Sequence, residues 1–207
     1  MTSKTKCNDV SGNHNHGTCK NLTSATGPAG RQNMSLEFTG NSDSYMLISD
    51  PKGLDVGKHG TGSFTYTSYV YSTRDDAVFI EWWEYRRQLH IWSYPYRNLY
   101  FHMVFLYRDG YGWTRSLNSP LYQWHFFGVI YDNTNTTAVL TLKVDSAVTS
   151  FNVPKGRPYT SGTNIYIGKR PSSTVFRGKM SCVMLFDKAL DLTELGDVQR
   201  FCLRQPN

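Results

Sequence analysis

Along most of this chain apolar and polar positions alternate with a period of two, the spacing of strands that bury one face. The clearest run predicts strands over Trp124–Tyr131, Ala138–Val144, Asn164–Gly168 and Arg177–Phe186, then a short helix over Asp187–Glu194. A polar turn joins the first two strands, a long loop precedes the third, and a basic turn precedes the fourth. Upstream, strands are expected over Ser35–Thr39, Tyr45–Ile48, Gly62–Tyr71, Ala77–Glu84, Leu89–Tyr94, Tyr100–Tyr107 and Gly112–Leu117. Within Gly62–Tyr71, Phe64, Tyr66, Ser68 and Val70 fall on one face and Thr65, Thr67, Tyr69 and Tyr71 on the other. Neither face is plainly polar, so both are expected to be covered. Connections at 85–88, 95–98 and 108–111 are hairpin-sized, and Asp109-Gly110 is a strong turn signal. About ten to twelve strands and one helix describe an all-β, antiparallel two-sheet sandwich or jelly roll.

Residues 1–33 break the pattern, being rich in Asn, Ser, Thr, Gly and Lys with almost no large apolar residue. They read as a polar N-terminal arm or linker before one domain over 34–207. With 207 residues, a single sandwich is expected.

The net charge of +6 and pI near 9.1 favour polyanions over polycations. Basic residues occur in short groups, at Arg86-Arg87, Arg97, Lys155, Arg157, Lys169-Arg170, Arg177 and Lys179. None approaches the five or six like charges of a nucleic-acid-binding tail, so no nucleic-acid partner is expected. Cys7, Cys19, Cys182 and Cys202 allow three full pairings. Spacing favours Cys7–Cys19 around a Gly/Asn-rich loop and Cys182–Cys202 around the terminal helix. Zinc is the rival at the first pair, beside His14 and His16, but the spacing is not that of a zinc knuckle.

Asn21, Asn33 and Asn135 begin Asn-x-Ser/Thr sequons, and Asn135 lies in a polar turn between two apolar strands. No signal-peptide pattern follows Met1, and no apolar run has the length of a membrane span. The expectation is a fragment of an exported, extracellular glycoprotein.

With these elements placed, the chain resembles the laminin-G-like, concanavalin-A-like jelly-roll superfamily, which includes the pentraxins. The resemblance covers roughly 34–202. It rests on Leu36-Glu-Phe-Thr-Gly40 with Tyr45, Gly62-Ser-Phe-Thr-Tyr66 with Val70, Trp124 to Asp132, Phe176-Arg-Gly178 and Phe186-Asp-Lys-Ala-Leu190. Two positions depart from the family pattern: Asp145-Ser146 stands for the usual Asp-Gly turn, and a Trp is missing near Tyr69. The resemblance implies an adhesion or lectin-like module. It also implies Ca²⁺ at a sheet rim, where Asp75 and Asp76 occupy the matching turn and Asn41 and Asp43 are weaker candidates.

Because the superfamily also holds β-glucan hydrolases, catalysis is the alternative. A retaining hydrolase needs two carboxyl groups on one strand face, whereas Glu81 and Glu84, at odd spacing, fall on opposite faces. No nucleophile elbow appears, so no enzyme is expected. For ligand contact the candidates are Tyr94, Tyr96, Tyr111 and Trp113, near hairpin tips where sugar rings can stack. Arg86, Arg87, Lys169 and Arg170, with Arg177 and Lys179, would bind a sulfated polysaccharide if their turns share a rim. Trp82, Trp92 and Trp124 are expected in the core. The partner is thus expected to be a glycan or an extracellular or cell-surface protein. A protein-interaction domain of a larger receptor is the third reading.

Overall fold

The computed structural model describes residues 5–49, 51, 62–83, 87–94, 98–104, 110–116, 119–156, 158, 160, 164–171 and 174–204. In chain order its strands are β1 (Thr18–Lys20), β2 (Thr23–Ala25), β3 (Ser35–Thr39), β4 (Tyr45–Ile48), β5 (Phe64–Ser72), β6 (Ala77–Trp83) and β7 (Arg87–Tyr94). There follow β8 (Asn98–Val104), β9 (Gly110–Ser116), β10 (Trp124–Asp132), β11 (Ala138–Val144), β12 (Ala147–Val153), β13 (Asn164–Ile167) and β14 (Arg177–Phe186), and then helix α1 (Leu192–Arg204). They form two antiparallel sheets, one in the order β1-β4-β13-β6-β7-β8-β9 and the other β12-β11-β10-β5-β14-β3-β2. This is the expected sandwich with a C-terminal helix.

Alternation decides which side chains fill the interior. Met46, Ile80, Trp82, Leu89, Ile91, Ile165 and Ile167 of the first sheet meet Phe38, Phe64, Tyr66, Val70, Phe127, Val129 and Leu140 of the second. A smaller cluster on the outer face of the second sheet, with Tyr69, Phe126 and Ile130, is covered by Leu195 of α1. Gly128 lets the helix approach, since a Cβ there would stand 3.0 Å from the Leu195 side chain.

The structure departs from the sequence expectation in three places. The polar arm supplies an outer strand to each sheet, β1 pairing with β4 and β2 with β3, because an edge strand needs backbone partners more than apolar side chains. The long loop after β11 contains β12, an edge strand whose residues are largely exposed. The turn into it is made by Asp145, which takes φ +53° where glycine would be usual. The helix also starts later than expected, at Leu192, because Asp191 accepts from the Glu194 N–H (2.8 Å) while Glu194 accepts from the Asp191 N–H (2.9 Å).

Both expected disulfides form, Cys7–Cys19 and Cys182–Cys202. To reach Cys202, Cys182 adopts φ +50° inside a bulge that shifts the β14 register between Ser181 and Met184.

Candidate functional site

The outer face of the first sheet follows from the same alternation. With Ile165 and Ile167 turned inward, Asn164 and Tyr166 of β13 face out, as do Tyr45 and Leu47 of β4, Glu81 and Trp83 of β6, and His90 and Trp92 of β7. Register lines them up: Tyr166 lies opposite Glu81, Glu81 opposite His90, and Asn164 opposite Trp83. His102 of β8 lies opposite His90.

The centre of this face is closed. Glu81 and His90 have no exposed surface. Arg170 is buried too, its Nε 4.0 Å from Glu81 Oε1 and its guanidinium carbon 5.1 Å from the centre of the Trp92 ring. The His90 ring stacks on Trp92 at 5.4 Å. A guanidinium beside a fully desolvated carboxylate offsets part of the cost of burying both.

Toward β4 the face opens. Tyr45, Tyr166, Trp83, Asn164 and Lys169 are all half-exposed. The Tyr45 and Tyr166 rings lie 5.9 Å apart at 44°. Burial, with the nearby Tyr45 hydroxyl, raises the Tyr166 pKa. Lys169 Nζ sits 4.3 Å above the Tyr45 ring and donates to the Ser42 carbonyl at 2.6 Å. A tight loop presents Lys169: Gly168 takes φ +78°, where a Cβ would strike Phe38 at 2.4 Å, and Arg170 N–H bonds the Thr174 carbonyl at 2.7 Å. Three aromatic rings with an amide and an ammonium at their margin offer stacking faces and hydrogen-bond donors side by side.

Lys169 is thus the one expected ligand residue seen on this open face among the described side chains. Arg170 is buried against Glu81 and Trp92, so it belongs to no exposed basic stripe. Arg177 and Lys179 stand on β14 of the other sheet, Lys179 Nζ 5.3 Å over Tyr71. Arg86 and Tyr96 lie outside the described residues. Arg87, Tyr94, Tyr111 and Trp113 have backbone positions in β7 and β9, and their side chains lie outside the description. Since β9 is four strands from β13, Tyr111 and Trp113 stand roughly 19 Å from the Lys169 loop along the sheet. Of the three tryptophans expected in the core, Trp82 is there, Trp92 is buried on the outer face and Trp124 is half-exposed.

Asp75 and Asp76 lie, as the resemblance implied, in the turn between β5 and β6. Burial raises the Asp76 pKa, with Arg74 opposing, and its buried Oδ1 has no hydrogen-bond partner among the described residues. An orphaned carboxylate oxygen beside a second carboxylate fits a hard cation. Among the described residues, no group of three or more His, Cys, Asp or Glu side chains comes together. Asn21, Asn33 and Asn135 are all exposed. The Asn21 side-chain amide donates to Asp43 at 2.7 Å.

The sequence reading missed Tyr45, Tyr166, Trp83 and Asn164. Their signal was available: each sits at the position where alternation calls for a solvent-facing side chain, and three of the four are aromatic. A second pairing it missed joins His125 to Asp145, Nδ1 to Oδ2 at 2.6 Å, across the end of the β10–β11 hairpin.

No curated protein matches the sequence. Among solved structures, domain 4 of a GH43 extracellular arabinanase from Geobacillus stearothermophilus, in complex with arabinotriose, superposes with a TM-score of 0.66 at 14% identity, covering 93% of this chain and 92% of that one. The botulinum neurotoxin serotype G binding domain gives 0.68 at 10% identity, covering 94% of this chain and 47% of that one. A botulinum neurotoxin type C structure, whose cell entry depends on interaction with two ganglioside molecules, gives 0.68 at 12%, covering 94% and 48%. This chain therefore spans about half the length of those toxin chains, and at such identities the likeness is one of fold. A family model, described as the concanavalin A-like lectin/glucanases superfamily and of laminin-G type, matches residues 39–196. That span runs from the end of β3 into α1 and takes in most of the chain, so the protein belongs to the concanavalin A-like lectin/glucanases superfamily.

Proposed function

We propose that this protein is a non-catalytic extracellular recognition module that binds carbohydrate on the open part of its first sheet's outer face. The observation that carries the reading is the half-exposed group of Tyr45, Tyr166 and Trp83 with Asn164 and Lys169 beside it. Sugar C–H faces stack on such rings while amide and ammonium groups bond the hydroxyls. The arabinotriose-bound and ganglioside-dependent neighbours make glycan a reasonable ligand class for the fold. Lys169 adds a preference for acidic sugars.

The absence of catalysis is argued from charge. On the described strands of this sheet the one carboxylate is Glu81, which lies buried against Arg170. Retaining hydrolysis would need two carboxyl groups about 5 to 5.5 Å apart facing the substrate. All four cysteines being paired supports an oxidising, extracellular setting. Calcium, where it contributes, would be held by Asp76 and Asp75 at the β5–β6 turn, supplying a fixed positive charge to a glycan hydroxyl or carboxylate.

The test is a glycan array of neutral, acidic and sulfated sugars, read with and without a calcium chelator, for the wild type, Tyr166→Ala and Lys169→Ala. Loss of a stacked ring should weaken binding roughly three- to tenfold. Binding that ignores both substitutions would move the site elsewhere, and failure to bind any glycan would overturn the proposal. Signal confined to sulfated sugars and abolished by salt would replace it with a polyanion site.

A further inference from the structure

Between the sheets, beneath the N-terminal loop, lies a cleft of about 740 Å³, within the range of small-molecule sites. Ile48, Ile165 and Ile167 form one wall, and Val183 and Leu185 form the other. The β14 bulge, which carries Cys182 in its disulfide to Cys202 on α1, borders the cleft. Across the mouth runs the loop closed by Cys7–Cys19, tied down by Gly17 N–H to the Cys7 carbonyl (2.7 Å) and by the pairing of β1 with β4. Its tip, Val10, is 74% exposed.

The charge at the mouth identifies the occupant. In a chain of net charge +6, the charged side chains among the described lining residues are Asp9 and Asp187, with no lysine or arginine. Asp9 is held as a carboxylate, accepting from the N–H groups of Ser11 (2.8 Å) and Asn15 (2.9 Å). An apolar slot with an acidic entrance suits an apolar chain carrying a positive head and disfavours a fatty acid.

We propose that this cleft binds a single-chain amphiphile with a cationic head group, its chain between the sheets and its head near Asp9 and Asp187. The site is separate from the aromatic face, so either can fail without the other.

Isothermal titration of the whole chain with decyltrimethylammonium below its micellar concentration, against decanoate as the anionic comparator, tests it. The cation should bind saturably with a negative heat-capacity change. Decanoate should bind about fivefold or more weakly, the factor supplied by one ion contact in water. Ile48→Trp, which fills the slot, should weaken the cation at least tenfold with far-ultraviolet circular dichroism and the cooperative melt retained, one tenfold step being about 1.4 kcal/mol. Asp187→Asn, at an exposed position, should bring the two ligands toward parity, and it decides the matter if the tryptophan variant does not fold. Absence of saturable binding, equal affinity for both heads, or a cation preference that Asp187→Asn leaves undiminished would overturn the proposal.

Discussion

Replacing Asp145 by Asn should cost stability by an amount that depends on pH in a direction fixed by the geometry around His125. Both ring nitrogens of His125 face oxygen: Nδ1 meets Asp145 Oδ2 at 2.6 Å and Nε2 meets the Pro120 carbonyl at 2.9 Å. Two acceptors require two protons, so the ring is an imidazolium. Burial alone would lower its pKa, but the Asp145 hydrogen bond, the Pro120 carbonyl and the Asp145 charge raise it overall. For Asp145, burial opposes and His125, the Phe126 N–H and Lys143 lower the pKa overall.

The pair therefore stabilises the fold fully between the ordinary values of 3.8 for the carboxyl and 6.5 for the imidazole. It fades as pH falls through the depressed carboxyl value or rises through the elevated histidine value. Hydrogen bonds between charged groups contribute about 1.5–3 kcal/mol, and with the Asp145 side chain 46% exposed the lower end applies, about 1–2 kcal/mol. Asparagine keeps the acceptor for the Phe126 N–H, now 2.9 Å from Oδ1, and offers a donor to a neutral His125. Asp145→Asn should accordingly lose about 1–2 kcal/mol at pH 5.5, or about 3–6 °C in melting temperature for a chain of this size, and less than half of that at pH 9. Urea denaturation at the two pH values measures it. An equal loss at both would mean that the carboxylate matters for packing alone and that the imidazolium assignment is wrong.

Five further variants test the frame. Gly178→Ala should cost about 3 kcal/mol or more, because its φ is +142° and a Cβ would lie 2.0 Å from the Tyr71 carbonyl oxygen; Gly196→Ala in α1, with only Arg200 at 3.5 Å, should instead gain about 0.5–1 kcal/mol, and thermal melts compare the two. Replacing Cys7 and Cys19 together by Ser should remove about 3 kcal/mol, the loop-closure value for cysteines 12 residues apart, read by denaturation in the absence of reductant. Arg170→Ala should cost about 3 kcal/mol by removing the guanidinium from beside buried Glu81, while Lys169→Ala should cost under about 1 kcal/mol, so chemical denaturation separates a structural cation from a surface one.

What could be read from the chain depended on what each residue had to satisfy. Central strands such as β10, β11 and β14 declare themselves, because their inward positions fill the interior and recur as apolar residues at every second position. Edge strands β1, β2 and β12 are held by backbone pairing alone on one side, so residues such as Thr18, Ser24 and Asn152 give no apolar signal. Arg170 follows Lys169 directly and looks like its twin in sequence. Only the fold shows that one lies over Tyr45 and the other is buried beside Glu81, a residue 89 positions earlier. Likewise His125 and Asp145 are 20 residues apart and meet because the β10–β11 hairpin returns the chain to its start.

The placement of aromatic residues carries the functional argument furthest. On the second sheet the outer positions of the last two strands are small or polar apart from two valines: Val139, Thr141 and Lys143 on β11, Val148, Ser150 and Asn152 on β12. Of the large rings on that sheet's outer face, Tyr69 and Phe126 are buried under the helix, and Tyr71 and Trp124 form a half-exposed pair 5.7 Å apart with Lys179 over Tyr71. On the first sheet the matching outer positions hold Tyr45, Tyr166 and Trp83, rings only partly covered within the monomer. Solvent exposure alone gives no reason for three aromatics there, and core packing gives none either, because Met46, Ile165 and Trp82 already fill the inner face of the same strands. Recognition of a ligand that stacks on rings accounts for all three with one cause, and removing Tyr166 while leaving the fold intact is the cleanest way to separate that cause from chance.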